Sequence, residues 1–367
     1  MSVPFVDLAR QHAEVAEEVV AGWDAVFAAG DYVGGAAVTE FEQAYADHLG
    51  VAHCVGVGNG TDALEMSLRA VGVGPGDEVI LPANTFIATA EAVVRAGGRP
   101  VLVDVDDATL LMDPALVEAA ITDRTRAVIP VHLYGQAAPV ELLPEAVRAA
   151  GIAVVEDAAQ SQGARRHGRA TGTLGDIAAT SFYPAKNLGA YGDAGAVTTG
   201  SAGLARSVRL MGAHGSAVKY RHEILGFNSR LDTVQAVVLL AKLRRLARWN
   251  AERAAAADRY HRLLAEIDGV RPPVTAVGNE HVWHLYVVRV PNRDEVLAAL
   301  QRKGIGAAIH YPVPVHLTPA FADLGHGPGS FEISEGSAGE ILSLPMYPGI
   351  TLADQEQVAE ALDAALA

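Results

Sequence analysis

Cysteine is almost missing from this chain. Cys54 is the sole one in 367 residues. No disulfide can form within the chain, and neither a cysteine-held iron–sulfur cluster nor a zinc ribbon can be built. Basic residues are also scarce: 28 Lys and Arg stand against 43 Asp and Glu, a formal net charge of −15. That balance argues against general nucleic-acid binding, which needs a basic surface. A small anion held in a local basic pocket remains compatible with it. No apolar run approaches the roughly 18 residues of a membrane span. Met1 to Arg10 lacks the basic-then-apolar pattern of a secretory signal. A cytoplasmic protein is expected, with neither membrane nor nucleic acid among its partners. There is no internal repeat and no low-complexity tract.

Apolar residues are plentiful. Half of the chain is hydrophobic and 19% is charged, a globular composition in a chain long enough for two or three domains. Val3 to Leu8 reads as an extended arm leading into a helix over 9–29. Phe41, Tyr45 and Leu49 recur at helical spacing in a second helix over 38–49. His53 to Gly58 is strand-like and runs into Asn59-Gly60-Thr61-Asp62; a helical pattern follows through Leu64, Met66, Leu68 and Val71. A strand, a tight turn and a helix start leave free N–H groups that favour an anion. Gly60 and Thr61 therefore suit a phosphate, although a plain N-cap by Thr61 or Asp62 explains the same residues.

Between 72 and 200, strands expected at 78–81, 99–103, 127–131, 153–156 and 195–199 alternate with helical stretches at 87–96, 114–121 and 142–150. Such alternation predicts a mostly parallel sheet covered on both faces, with ligands at the carboxyl ends of its strands. Asn59–Asp62, Pro82–Phe86, His132–Gly135 and Asp157–Gln160 follow strands directly and are expected to converge. The segment 212–230 is rich in glycine, histidine and bases and reads as a long ordered loop, of a length that is usually functional. A long helix over 232–259 follows, with Val234, Val237, Leu240 and Leu243 on one side. Arg271-Pro272-Pro273 looks like a linker. The rest is a small α/β pattern: strand 284–290, helix 293–303, strand 307–310, a loop rich in proline and histidine, and a terminal helix from Thr351.

One stretch organises the remainder. Thr180 to Ala190 sets Lys186 between a short apolar run and Gly189, Gly192 and Gly195. Upstream, Ile152 to Asp157 reads as a buried strand ending on two carboxylates. Taken together, Lys186 fits a Schiff-base lysine for pyridoxal phosphate, and Asp157 a partner that keeps the pyridinium nitrogen protonated. Each residue alone also fits a bland role, as a solvated loop lysine or a strand-end cap. His132, His214, His281, His284 and His316 have no metal-ligand spacing and read as loop or packing residues; no metal is expected. Asp104, Asp106 and Asp107 read as a solvated turn.

Four motifs in order carry a resemblance. Gly60-Thr61-Asp62-Ala63-Leu64, Glu156-Asp157-Ala158-Ala159-Gln160, Ser181-Phe182-Tyr183-Pro184-Ala185-Lys186-Asn187-Leu188-Gly189 and Gly226-Phe227-Asn228-Ser229-Arg230-Leu231-Asp232 resemble the DegT/DnrJ/EryC1/StrS sugar-nucleotide aminotransferases, from Pro4 to the last helix. The resemblance implies a fold of the aspartate aminotransferase type (fold type I). A large cofactor-binding α/β domain with the N-terminal arm would span 1–250, and a small α/β domain 251–367. It implies pyridoxal 5'-phosphate as cofactor, alternating with its pyridoxamine form. Lys186 and Asp157 would be catalytic. Gly60, Thr61 and Ser181 would hold the phosphate, joined by Asn228 from a neighbouring subunit. Phe86 and Ala159 would cover the two ring faces, and Gln160 would meet the ring's O3′. Tyr183, Lys219, Tyr220, Arg230, His310 and Tyr311 would face the substrate.

The implied reaction takes an amino group from L-glutamate to a keto group on a nucleotide-linked deoxysugar. Related sugar dehydratases carry a histidine where this chain has Lys186, and a cofactor-binding regulator without turnover is the reading from another class. Members acting at C4 of the sugar tend to have a histidine between the Phe and Pro of the lysine motif. This chain has Tyr183 there, which resembles the group acting at C3 of dTDP-3-keto-6-deoxyhexoses in antibiotic and surface-glycan sugars. A homodimer with shared active sites is expected, on three grounds. The polar 212–230 loop carries Asn228 and Arg230, the 232–259 helix has an apolar stripe to cover, and a dianionic substrate must meet local bases such as Lys219, Arg221 and Arg230.

Overall fold

The computed structural model describes residues 2–367. Seven strands form its central sheet: β1 (His53–Val57), β2 (Glu78–Pro82), β3 (Arg99–Val103), β4 (Thr125–Val128), β5 (Ala153–Asp157), β6 (Ile177–Ser181) and β7 (Gly195–Thr199). Their order across the sheet is β1-β7-β6-β5-β4-β2-β3. All neighbours from β6 to β3 run parallel. β7 alone runs against both of its neighbours. A parallel sheet is covered on both faces, so its strands read as unbroken apolar runs; Val79, Ile80 and Leu81 are completely buried. The register places Asp157 opposite Ala179, and Gly195 opposite both Ser181 and Val57. The ends of β5, β6 and β1 therefore meet the start of β7 along one edge.

The helices follow from their apolar spacing and caps. Gly60–Ala70 and Ile87–Ala96 pack on the sheet through Leu64, Met66, Leu68 and Val93. The long helix Thr233–Leu264 joins two cores. Its first half packs Leu239 and Leu246 with Phe41, Tyr45 and Phe182. Its second half packs Tyr260 and Leu264 with Tyr286, Leu300, Leu344 and Leu362. The division after residue 250 thus falls inside a continuous helix. No helix among the described residues is long and apolar enough to cross a membrane.

Several expected elements differ in detail. The helix over 9–29 is two, Leu8–Ala13 and Ala16–Ala29, broken where Glu14 turns to Arg248 and the Trp249 indole. Strand β6 escaped the pattern because Ile177-Ala178-Ala179-Thr180-Ser181 has little β-branched bulk. The strand expected at 307–310 is a single bridge, Ala308 to Ser343. The real partner of Tyr286–Arg289 is Ile341–Leu344, antiparallel. The helix over 142–150 shortens to Glu145–Ala149, since Pro144 cannot sit inside it. The loop 212–230 contains a small hairpin, Ser216–Val218 with Arg221–His222.

Candidate active site

Adjacent residues on a strand point to opposite faces, so the two carboxylates ending β5 part company. Glu156 is fully buried. Its oxygens accept from the amides of Gly172, Leu174 and Gly175 at 2.7–2.8 Å and from His132 Nε2 at 2.8 Å. The Ala138 amide donates to His132 Nδ1 at 2.9 Å, so Nε2 carries the hydrogen and the imidazole is neutral. Asp157 turns the other way, into a cavity of about 610 Å³. One of its oxygens accepts from Thr89 Oγ1 at 2.8 Å, the other from the Ala159 amide at 3.1 Å. Thr89 is itself paired with Thr85.

Lys186 lines the same cavity. Its loop is fixed by the chain's own backbone: the Lys186 amide donates to Tyr183 O at 2.8 Å, and the Ala190 amide to Phe182 O at 2.7 Å. Surrounding protein lowers the lysine's pKa from 10.5 to about 8, and the negative charge of Asp157 opposes that shift. A lysine so placed is neutral at moderately alkaline pH and can act as a nucleophile or a base.

The turn after β1 starts the helix Gly60–Ala70. Its cap is Asn59, whose side chain accepts from the Asp62 amide at 2.8 Å. Neither Thr61 nor Asp62 is the cap. The Gly60 and Thr61 amides lie in the first turn, where no intrahelical acceptor exists, and they open on the cavity beside Ser181. A Cβ on Gly60 would stand 2.7 Å from Ser181 Cβ, and one on Gly195 would stand 2.5 Å from Asn59 C. Only glycines allow these two segments to meet. Ser229 Oγ accepts from the Gly58 amide at 3.0 Å and donates to Asp62 at 2.7 Å, so the Gly226–Asp232 motif also braces this turn.

The far wall comes from three segments. Gln160 accepts from the Tyr134 amide at 2.7 Å and donates to Tyr311 Oη at 3.1 Å. Tyr134 Oη donates to His310 O. Half-exposed Phe86 lies 5.2 Å from the Tyr311 ring. Burial lowers the His310 pKa to about 4, helped by Lys186, so this imidazole is neutral. The arm is part of the wall too: Phe5 lines the cavity and stacks on His310 at 5.6 Å.

Gly60, Thr61, Phe86, Asp157, Ala159, Gln160, Ser181, Tyr183, Lys186, His310 and Tyr311 all line this one cavity. Asn228, Lys219, Tyr220 and Arg230 do not. They are exposed on the 212–230 segment, where Arg230 Nε donates to Asn228 at 3.0 Å and Lys219 lies over the Tyr220 ring. One ground for a dimer fails: the stripe on the long helix is covered by the chain itself. Val237 and Leu240 are buried, Leu240 beside Phe41 and Leu239, and Val237 against Gly22. No role in the site was expected of Thr89, Ser229, His284 or Phe5 individually. Ser229 carries a signal as a member of a motif, and His132 and Tyr134 lie in the 132–135 segment expected at the strand ends.

The family profile of the DegT/DnrJ/EryC1/StrS aminotransferases matches residues 13–363. The chain is 45% identical to the dTDP-3-amino-3,4,6-trideoxy-alpha-D-glucose transaminase of Streptomyces venezuelae, over 99% of this chain and 95% of that one. It is 47% identical to the erythromycin biosynthesis sensory transduction protein EryC1 of Saccharopolyspora erythraea, over 99% and 100%. The crystal structure of S. venezuelae DesV with a ketimine intermediate superposes with a TM-score of 0.97 at 45% identity, covering 99% and 98%. Enzymes of this kind use pyridoxal 5'-phosphate. A cavity built from a low-pKa lysine, a buried carboxylate and a helix N-terminus is what such chemistry asks for, and the chain belongs to the DegT/DnrJ/EryC1/StrS aminotransferase family as a pyridoxal-phosphate-dependent sugar aminotransferase.

Proposed function

We propose that this enzyme moves the amino group of L-glutamate onto the C3 keto group of a dTDP-linked 3-keto-6-deoxyhexose. The observation that carries the reading is the meeting of Lys186, Asp157 and the Gly60–Thr61 turn in one cavity. The donor set suits the cofactor. Gly60, Thr61 and Ser181 offer amides and a hydroxyl to a phosphate at a helix N-terminus. Asp157 offers a carboxylate to hold a proton on a ring nitrogen, and Thr89 keeps that carboxylate in place. Phe86 and Ala159 supply two apolar faces. Gln160 would meet the ring's hydroxyl oxygen. Bound cofactor supplies the electron sink for reaction at the carbon bearing the amino group. Lys186 holds and moves the proton, which its lowered pKa permits.

Tyr183 supports the choice of C3. It lies 55% exposed on the cavity lip, at the motif position where the C4-acting group tends to carry histidine. Likeness to a 3-amino-trideoxyglucose transaminase points the same way. His310 and Tyr311 would face the sugar. The catalytic unit is a homodimer in the cytoplasm, with residues 1–250 as the large domain and 251–367 as the small one. Asn228, Lys219, Tyr220 and Arg230 would serve the partner's site. Leu225 and Tyr220 stand out from the loop almost wholly exposed, and Val20, Phe27, Tyr32 and Val33, from the helix Ala16–Ala29 and the turn after it, are half exposed; an isologous interface would cover such residues.

Product NMR after incubation with 3-keto and 4-keto sugars, each linked to dTDP or UDP, tests the substrate. Amination at C3 of the dTDP sugar is expected; amination only at C4, or only of UDP sugars, refutes it. Mixing Lys186→Ala protomers with Asn228→Ala/Arg230→Ala protomers under verified subunit exchange tests the shared site. Partial recovery of activity is expected, and none would refute sharing.

A further inference from the structure

A one-way chain of hydrogen bonds leads from the long helix into the active cavity. Asn250 Nδ2 donates to Gln162 O at 2.9 Å. A backbone carbonyl only accepts, so the other end of that amide, Oδ1, is an acceptor. It receives Asn187 Nδ2 at 2.9 Å, and the same nitrogen also donates to Val282 O at 2.8 Å. Two carbonyls thus fix the orientation of both amides. Asn187 Oδ1 must then accept, and its partner at 3.3 Å is His284 Nδ1. His284 therefore carries its hydrogen on Nδ1, and its Nε2 is bare. Gly163 makes room for the chain, since a Cβ there would stand 2.5 Å from Asn250 Nδ2.

His284 lines the cavity that Lys186 lines, and Asn187 is the residue next to that lysine. Nε2 of His284 has no hydrogen-bond partner among the described residues, and it keeps some solvent contact. Burial, and then the charge of Lys186, hold the His284 pKa well below 6.5. A ring held in that state can accept a hydrogen bond without taking the proton. We propose that His284 is a positioning residue for Lys186: its bare Nε2 accepts a hydrogen bond from the lysine's free amino group and aims that group for proton transfer. The inference rests on the assignment of Lys186 as the base.

The test uses His284→Asn, which keeps a donor towards Asn187 but loses the distal acceptor, and His284→Gln, which restores a distal acceptor. In cofactor-stripped enzyme, the pH dependence of Lys186 labelling by trinitrobenzenesulfonate, read by peptide mass spectrometry, gives the lysine's pKa. A neutral acceptor favours the ammonium, so His284→Asn should lower that pKa by about one unit. In reconstituted enzyme, the single-turnover half-reaction with L-glutamate should slow by on the order of tenfold. The isotope effect with α-deuterated glutamate should rise, and His284→Gln should recover most of the loss. Asn187→Ser, which frees the imidazole tautomer, should show a weaker form of both effects and serves if the histidine variants do not fold. An unchanged lysine pKa with an unchanged isotope effect overturns the proposal, whatever happens to the overall rate. Retention of the half-reaction by Lys186→Ala would instead overturn the assignment of the lysine itself.

Discussion

Glu156 and Asp157 are neighbours with opposite duties, and their amide substitutions separate them. Glu156→Gln turns one acceptor oxygen into an NH₂ group. Whichever oxygen is replaced, two N–H donors are left facing a donor: Leu174 and Gly175 on one side, Gly172 and His132 on the other. The side chain is fully buried, so water cannot substitute. Each buried donor without an acceptor costs about 1–3 kcal/mol, and two cost about 2–6 kcal/mol. Asp157→Asn is milder. Its amide oxygen keeps the Ala159 amide, and its NH₂ group meets Thr89 Oγ1, which can still donate to Thr85. The expected loss is about 1 kcal/mol. Activity reverses the order. Asp157→Asn should lose at least about a hundredfold in the glutamate half-reaction, whereas folded Glu156→Gln should stay within about threefold of the parent, because Glu156 points away from the cavity. Urea unfolding of the cofactor-free proteins near neutral pH gives the first comparison. Absorbance of the reconstituted enzymes gives the second. Glu156→Gln as stable as the parent, or Asp157→Asn at near-parental rate, would refute the division.

Other outcomes follow from single contacts. Lys242 is buried with Nζ 2.6 Å from Gly189 O, and burial lowers its pKa from 10.5 to about 8. Between those values the unfolded chain binds more protons, so stability rises with pH across that window; Lys242→Met should remove about 3 kcal/mol of that rise, and urea unfolding at either end of the window checks it. Gly60→Ala forces Ser181 and the turn apart. It should weaken cofactor binding about tenfold, the equivalent of about 1.4 kcal/mol, read by titrating cofactor into stripped enzyme. Phe41→Ala empties a fully buried site packed edge-on against Phe182 at 5.3 Å. It should lower stability by about 3–5 kcal/mol in the same urea assay.

The site was legible where chemistry leaves a local mark. A lysine among glycines, a carboxylate ending an apolar strand and a Gly-Thr turn opening a helix each have a local physical cause, and parallel topology gathers strand ends at one edge. Asp157, Lys186, Gly60 and Thr61 are therefore legible from spacing and resemblance, and the structure lines one cavity with them. The framing of the site left no such mark. Thr89 holds Asp157 across 68 positions of chain, and Tyr134 joins Gln160 to the His310 segment. No periodicity encodes these pairings, because each depends on how separate loops stack above the sheet.

Histidines make the point most sharply. His132, His284 and His316 look alike in the sequence and lack metal-ligand spacing, whereas His310 is singled out only by resemblance. Their environments sort them instead. His132 is neutral because the Ala138 amide occupies one nitrogen while the other donates to Glu156. His316 donates to Glu335 beneath Phe331, away from the cavity. His310 is stacked by Phe5 and bonded to Ser343. His284 alone of the four has one nitrogen fixed by a chain of oriented amides and the other left without a partner, in a residue that lines the lysine's cavity. Tautomer and orientation are set by partners 6 to 97 residues distant along the chain, so a histidine's role here is a property of the fold and not of its local motif.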